Sequence, residues 1–406
     1  MKRVVITGIG IVSSIGNSKK KVLYSLKNGK SGISYSEELK ELGLKSNVWG
    51  KIEVDKIKLN KKRIFRFMND GSVYAYLSMK KAIKDSKLTN DIISNINTGL
   101  IIGCGGGTPK THFNWVSNLK KKLKKKVSPY TIIKTMPSNA CACLSTLFKI
   151  KGISYSISSA CSTSTNCIGN AFEIIRLGKQ NLMFTGGCEE LCWEMACEFD
   201  SMNALSSKYN KSPEKSSRVY DVNRDGFVIS GGAGIIVLEE LKHALSRNAK
   251  IYGEIIGYGT ASDGENMTTP SIDGVVRCMK MALNKINYLD IDYINTHGTS
   301  TLAGDITEIL AIKKIFKKYR PYISSTKSIT GHSLGASGVH EVIFSLLMLE
   351  NNFISPCINI EKIDEEAKNM NIVEKTKFCK LDTIMTNNLG FGGANATLII
   401  KRYQLF

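Results

Sequence analysis

Cys161 is the residue in this chain best placed to act as a nucleophile. Ahead of it Ile153, Tyr155 and Ile157 alternate with Gly and Ser, the two-residue period of a short strand. Behind it Ile168, Ala171, Phe172 and Ile175 fall at i, i+3, i+4 and i+7, one face of an amphipathic helix that Gly178 closes. The spacing predicts a sharp strand-to-helix turn with the thiol at the helix N-terminus. Unpaired N–H groups there favour thiolate, and an ordinary thiol pKa of about 8.5 can fall by about one unit or more in such a place. A lone cysteine is more often a small buried hydrophobe. Two distant loops tip the balance. Tyr293-Ile294-Asn295-Thr296-His297-Gly298-Thr299-Ser300-Thr301 reads as a strand end running into a glycine turn, and Ser328-Ile329-Thr330-Gly331-His332-Ser333-Leu334-Gly335 sets a second histidine beside glycines. Either histidine alone is as readily structural as functional. Together with Cys161 they are read as catalytic. His112, His243 and His340 sit in helical or polar settings and are expected to pack or face solvent.

The elements that must bring these residues together are legible as a duplication. Ile157-Ser158-Ser159-Ala160-Cys161-Ser162 matches Ile323-Ser324-Ser325-Thr326-Lys327-Ser328, and Val339, Val342, Ile343, Leu346 and Leu347 repeat the helical face that follows. Gly231-Gly232-Ala233-Gly234-Ile235-Ile236-Val237-Leu238 matches Gly392-Gly393-Ala394-Asn395-Ala396-Thr397-Leu398-Ile399, and Ile6-Thr7-Gly8-Ile9-Gly10 matches Ile255-Ile256-Gly257-Tyr258-Gly259. The expectation is two similar α/β halves, 1–249 and 250–406, the first enlarged by loop insertions, in a layered α/β architecture. Equivalent strand ends would then converge on one pocket and bring Cys161, Lys327, His332 and Phe391 together.

Composition narrows the class. A hydrophobic content of 42% and a charged content of 22% suit a globular chain with a substantial core. Eleven cysteines, an odd number without framework spacing, argue for reduced thiols in a cytoplasm. Cys188, Cys192 and Cys197 lack a histidine or a paired C-x-x-C, so core packing is expected there rather than a metal. The apolar start, Val4 to Val12, is broken by glycines and reads as a first strand, not a signal or membrane segment. Its Gly8-x-Gly10 lacks the third glycine and the downstream acid of a dinucleotide loop. The net charge of +21 calls for an acidic partner. No zinc-finger, RNA-recognition or heptad pattern accompanies it, so nucleic acid is disfavoured. The basic clusters are Lys61, Lys62, Arg63 and Arg66, and the run Lys120 to Lys126.

In the settings S-S-A-C-S-T-S, T-H-G-T-S-T and G-H-S-L-G-A-S-G, the chain resembles the β-ketoacyl-acyl-carrier-protein synthases, condensing enzymes of fatty-acid synthesis with the thiolase fold. The likeness runs end to end. Glu189 to Asp200 and Arg224 to Ile229 are most similar to the type I branch, with type II as the rival. The resemblance implies a layered αβαβα core and a homodimer. It also implies acyl transfer from acyl carrier protein to Cys161, then decarboxylating condensation with malonyl carrier protein, needing neither metal nor resident cofactor. His297 and His332 would face the malonyl thioester oxygen, and backbone N–H groups of Cys161 and Phe391 would form the oxyanion hole. Gly392 and Gly393 would let that backbone come close. Lys327 would keep His332 neutral, and Glu308 would be the acid paired with it. Thr299 and Thr301 would hold the pantetheine arm, and Met195, Phe199 and Leu389 would meet the acyl chain, Leu389 standing where relatives usually have Phe. Lys62, Arg63, Arg66, Lys124 and Lys125 would dock the acidic carrier.

Overall fold

The computed structural model describes residues 1–54 and 63–404. Eleven strands form one sheet: β1 (Val4–Val12), β2 (Thr98–Cys104), β3 (Ser154–Tyr155), β4 (Leu182–Glu189), β5 (Gly232–Glu240), β6 (Gly253–Ser262), β7 (Tyr293–Asn295), β8 (Tyr322–Ser324), β9 (Asn371–Ile372), β10 (Thr383–Gly390) and β11 (Ala394–Lys401). Their spatial order is β9-β8-β7-β10-β11-β6-β1-β5-β4-β2-β3. On one side of the β1/β6 junction the order is β3-β2-β4-β5-β1, and on the other β8-β7-β10-β11-β6, with β9 added at the edge. The pairing senses repeat as well. β2 runs parallel to β3 and β4, whereas β5 is antiparallel to β4 and β1. In the other half β7 runs parallel to β8 and β10, and β11 is antiparallel to β10 and β6. The sheet is a duplicated unit.

The sequence matches fall on equivalent strands: β1 with β6, the ends of β3 and β8, and β5 with β11. The extra length of the first half lies between β1 and β3, residues 13–153, against 263–321 in the second.

Helices cover the sheet in three layers. α1 (Asp70–Ser86) packs on β1, β5 and β4 and α2 (Asn139–Phe148) on β2, outside the first half. α3 (Thr163–Arg176) packs on β4 and β2 and also on β6 and β11 of the other half. α4 (Ile272–Ala282) packs on β6 and β11 and against α5 (Leu302–Phe316), outside the second half. α6 (Ser337–Asn351) joins α3 between the halves, touching β5 and β10. The result is the αβαβα sandwich.

The middle helices begin just after Cys161 and His332, and their sequences fit that place. α3 buries Ile168, Ala171, Phe172 and Ile175, the face predicted from spacing. α6 is buried all round from Ser337 to Leu349, as a helix between the two halves of the sheet must be. The two come close because Gly338 has no side chain: a Cβ there would lie 1.9 Å from Thr165 Oγ1. Among the described residues no helix is long and apolar enough to cross a membrane.

Candidate active site

Cys161 follows β3 in a single tight turn, Ala160–Ser162, that runs directly into α3. Ala160 takes a φ of 49°, left-handed backbone that a residue with a Cβ adopts at a cost. The turn is held by Thr163, whose Oγ1 accepts from Ser159 N at 2.9 Å and donates to Ala160 O at 2.7 Å. Ser162 Oγ donates to Asn388 O at 3.0 Å and so ties the turn to β10.

The two histidines arrive from the other half. His332 follows the one-turn helix Lys327–Thr330, and its main chain is strapped to the 228–230 segment by His332 N to Val228 O at 2.8 Å and Ser230 N to His332 O at 2.9 Å. Its Nε2 stands 3.1 Å from Cys161 Sγ, while Nδ1 lies 2.9 Å from Ser337 Oγ. His297 follows β7, its ring edge-on to His332 at a centroid distance of 5.2 Å and an angle of 86°. The sulfur and one nitrogen of each imidazole all lie within 4.8 Å of one another. Three residues far apart in sequence thus share one point.

Electrostatics fix their protonation. Burial first, and the Lys327 ammonium second, push both imidazoles well below the usual histidine range, so both are neutral at physiological pH. Burial also pushes the Cys161 thiol up to about 12. Lys327 and the Phe391 N–H facing the sulfur act in the other direction without overcoming it. Burial therefore favours the thiol over the thiolate expected at a helix N-terminus. The resting group is a thiol.

These three residues open onto a cavity of about 260 Å³. Phe199, Phe227, Leu389 and Phe391 form an aromatic and aliphatic wall, with Phe199 edge-on to Phe227 at 5.2 Å and Phe391 at 6.3 Å from Phe199. Thr299 and Thr301 line another side, their hydroxyls 3.1 Å apart. Asp305 holds that turn by accepting Thr299 N at 2.9 Å and Ser300 N at 3.0 Å. Gly390 brings β10 against the nucleophile: a Cβ there would sit 3.3 Å from Cys161 N and 2.9 Å from Ser159 O.

A thiol, two neutral imidazoles and a mixed-polarity cavity suit acyl transfer and the stabilisation of an enolate. The N-terminal domain model of β-ketoacyl synthases matches residues 1–244, and the C-terminal domain model matches residues 252–361. The chain belongs to the β-ketoacyl synthase family. It is 60% identical to a 3-oxoacyl-[acyl-carrier-protein] synthase 1 of Buchnera aphidicola subsp. Schizaphis graminum, over 99% of the chain and 100% of the relative. It is 55% identical to the synthase 1 of Escherichia coli strain K12 over the full length of both. Identity drops to 37% with a synthase 2 from Rhizobium meliloti, over 99% of each chain. Among solved structures, a β-ketoacyl synthase from Burkholderia phymatum superposes with a TM-score of 0.94 at 32% identity, covering 100% of both chains. A type II polyketide ketosynthase solved with its acyl-carrier protein matches with a TM-score of 0.91 at 27% identity, over 99% of this chain and 100% of that one.

Within this synthase scaffold one expected pairing is corrected. Lys327 is bonded to Glu341 of α6, both side chains 2% exposed, and Asn388 Nδ2 donates to the same carboxylate at 2.8 Å. Glu308 instead braces the His297 turn, accepting His297 N and Gly298 N at 3.0 Å each and Asn387 Nδ2 at 3.1 Å. Its carboxyl is pushed up to about 7, by burial above all. Sequence reasoning missed Glu341, although a lone acid in an otherwise apolar helical face was the available signal.

Other expected contacts divide. Phe199, Leu389, Phe391, Gly393, Thr299 and Thr301 line the cavity. Met195 does not; it is buried behind, in a cluster with Cys192, Phe227 and Leu334 against which Cys161 packs. Gly392 also stands off the lining and uses its φ of 78° to donate its N–H to Met267 O at 2.7 Å. Lys62 and the side chain of Arg63 lie outside the described residues. Arg66 is exposed and stacks over Phe67 and Tyr130, 4.8 Å from each ring centroid. Lys124 and Lys125 are exposed on the short turn Lys124–Lys126 that precedes Tyr130. Tyr130 thus neighbours both, Arg66 through its ring and the 124–126 turn along the chain.

Proposed function

We infer that this chain lengthens acyl groups by decarboxylating condensation, with the preferences of type I synthases. Cys161 takes an acyl group from an acyl carrier protein: the sulfur–carbon bond to Cys161 forms, the carrier's thioester bond breaks, and the thiol proton ends on the departing carrier sulfur. His332 Nε2–H, its tautomer set by the Ser337 hydroxyl donating to Nδ1, supports negative charge on the sulfur as it develops. Backbone N–H groups of Cys161 and Phe391 receive the tetrahedral oxyanion.

Malonyl carrier protein then enters. Its carboxylate leaves as carbon dioxide, and the electron pair moves to the thioester oxygen facing the N–H groups of His297 and His332. The enolate carbon attacks the acyl carbonyl, the Cys161 bond breaks, and the sulfur takes up a proton from water. The product is a 3-oxoacyl carrier protein two carbons longer. Neutral imidazoles are required here, because a donor must hold its proton while charge builds on oxygen. Losing one such donor costs on the order of 10²–10³ in rate. The observation that carries this reading is the meeting of one thiol and two neutral imidazoles within 4.8 Å.

The carrier docks on Arg66, Lys124 and Lys125, with Lys62 and Arg63 adding charge from the neighbouring stretch of sequence, by charge complementarity to an acidic protein. Two chains associate through the first half. Its edge strand β3 is exposed at both residues, the helix Pro109–Lys120 buries none, and Phe113 and Ile132 are 48% and 71% exposed. The deciding experiment supplies malonyl carrier protein with acyl carriers of graded length and reads product mass and carbon dioxide release. Product is expected from the native chain and none from Cys161→Ala, while His332→Ala should lose carbon dioxide release. Absence of any 3-oxoacyl product from the native chain would overturn the assignment.

A further inference from the structure

The same three side chains form an open coordination set. Cys161 offers a sulfur, and His297 and His332 each offer a ring nitrogen, all within 4.8 Å and carried on separate elements. We propose that the pocket binds a thiophilic divalent cation, zinc above all, through Cys161, His297 and His332, and that the bound metal reversibly closes the nucleophile to acyl donors. Zinc bonds of about 2.3 Å to sulfur and about 2.0–2.1 Å to nitrogen, at tetrahedral angles, place such ligand atoms about 3.3–3.6 Å apart. The Cys161–His332 edge is already 3.1 Å. The widest separation, no more than 4.8 Å, has to shorten by rotation of side chains that line the cavity.

Chemistry and surroundings support the fit. One thiolate with two imidazoles is a borderline-soft donor set that favours zinc over magnesium or calcium. Binding takes the other neutral tautomer of His332, its Nδ1–H donating to the Ser337 hydroxyl so that Nε2 presents a lone pair, and the thiol proton leaves to solvent. Ser337 on His332 Nδ1 is the outer partner that metal-bound histidines usually have. The His297 Nδ1 is buried with no hydrogen-bond partner among the described residues. The nearby Lys327 ammonium opposes a second cation, but Glu341 is bonded to it and offsets that charge. The cavity leaves the fourth position to water, the arrangement of an open site.

The test needs no turnover, so its outcome is separable from that of the condensation reaction. The full-length protein is titrated with zinc chloride against a chromophoric chelator. Cys161 alkylation by iodoacetamide is followed in parallel by peptide mass. One equivalent of zinc is expected, lost in Cys161→Ala and in the milder His297→Asn, and retained in Cys197→Ser, which removes an exposed thiol outside the site. Zinc should slow alkylation of Cys161 at least tenfold, with full recovery after EDTA. Equal zinc binding in Cys161→Ala, or an unchanged alkylation rate at saturating zinc in the unmodified protein, overturns the proposal.

Discussion

The partner of Lys327 can be decided by energetic coupling. Lys327 and Glu341 are each 2% exposed and bonded to one another, whereas Glu308 feels Lys327 only as the last of several influences on its carboxyl. Breaking a buried ion pair by removing one partner strands a charge and costs about 3–5 kcal/mol. Glu341→Gln is therefore expected to lose about 4 kcal/mol. With unfolding entropy near 2.1 cal/mol/K per residue, that loss lowers Tm by about 5 °C for a chain of 406 residues. Glu308→Gln turns an amide nitrogen toward a backbone N–H of His297 or Gly298 and should cost about 1–3 kcal/mol. Each change is then combined with Lys327→Met in a double-mutant cycle, using urea unfolding followed by tryptophan fluorescence. Coupling between 327 and 341 is expected at about 2–3 kcal/mol, and between 327 and 308 below about 0.5 kcal/mol. Equal couplings, or the reverse order, would refute the assignment of Glu341 as the counter-ion.

With the thiol held near 12, alkylation of Cys161 by iodoacetamide should rise about tenfold per pH unit between pH 6 and 9; a plateau at neutral pH would contradict a buried resting thiol. Glu308, raised from 4.5 to about 7, binds its proton more tightly folded than unfolded. Its stabilising contribution is full below pH 4.5 and is lost as pH rises through 7, about 3 kcal/mol in all, and the stability difference between native and Glu308→Gln should track that window. Gly390→Ala meets Ser159 O at 2.9 Å and Ala394 O at 3.0 Å, so β10 must retreat from the nucleophile. Condensation should fall about 10–100-fold with fold retained by circular dichroism, since a shift approaching 1 Å can cost about 10²-fold. Charge reversal at Arg66 and Lys124 should raise KM for carrier-borne substrates at low salt and leave Cys161 alkylation unchanged; unaltered KM would move the docking site elsewhere.

Much of the fold and site was legible because periodicity and duplication report packing directly. The spacing of Ile168, Ala171, Phe172 and Ile175 marks a helix face wherever that helix sits, and it proved to be the buried face of α3. The glycine-rich matches land on equivalent strands because close backbone approach recurs in both halves. Protonation was less legible. A helix N-terminus can be inferred from caps and spacing, but the depth of burial around Cys161 depends on Phe227, Leu334 and Met195, which arrive from elsewhere in the chain. The Glu341 contact was hidden for a similar reason. Helical spacing shows that 341 shares α6 with Val339 and Val342, not that the Lys327 turn ends beside it. Sequence patterns report the face of an element well and the identity of its neighbour poorly.

The duplication also explains why a cation stands beside this thiol. Cys161 and Lys327 occupy matched positions in the two repeats, each in the turn that follows an equivalent strand, β3 or β8, and leads toward a middle-layer helix. Symmetry between the halves brings such turns together where α3 and α6 meet. The same position thus supplies a nucleophile from one half and a charge from the other, and the charge acts on both imidazoles. Glu341 holds the ammonium in place from α6, the helix whose start carries Ser337, the partner of His332. One helix therefore sets the orientation of the imidazole and the position of the cation that, after burial, helps keep it neutral. Disturbing the seat of α6 should impair both together, whereas a change in α5 that frees Glu308 should act on His297 alone.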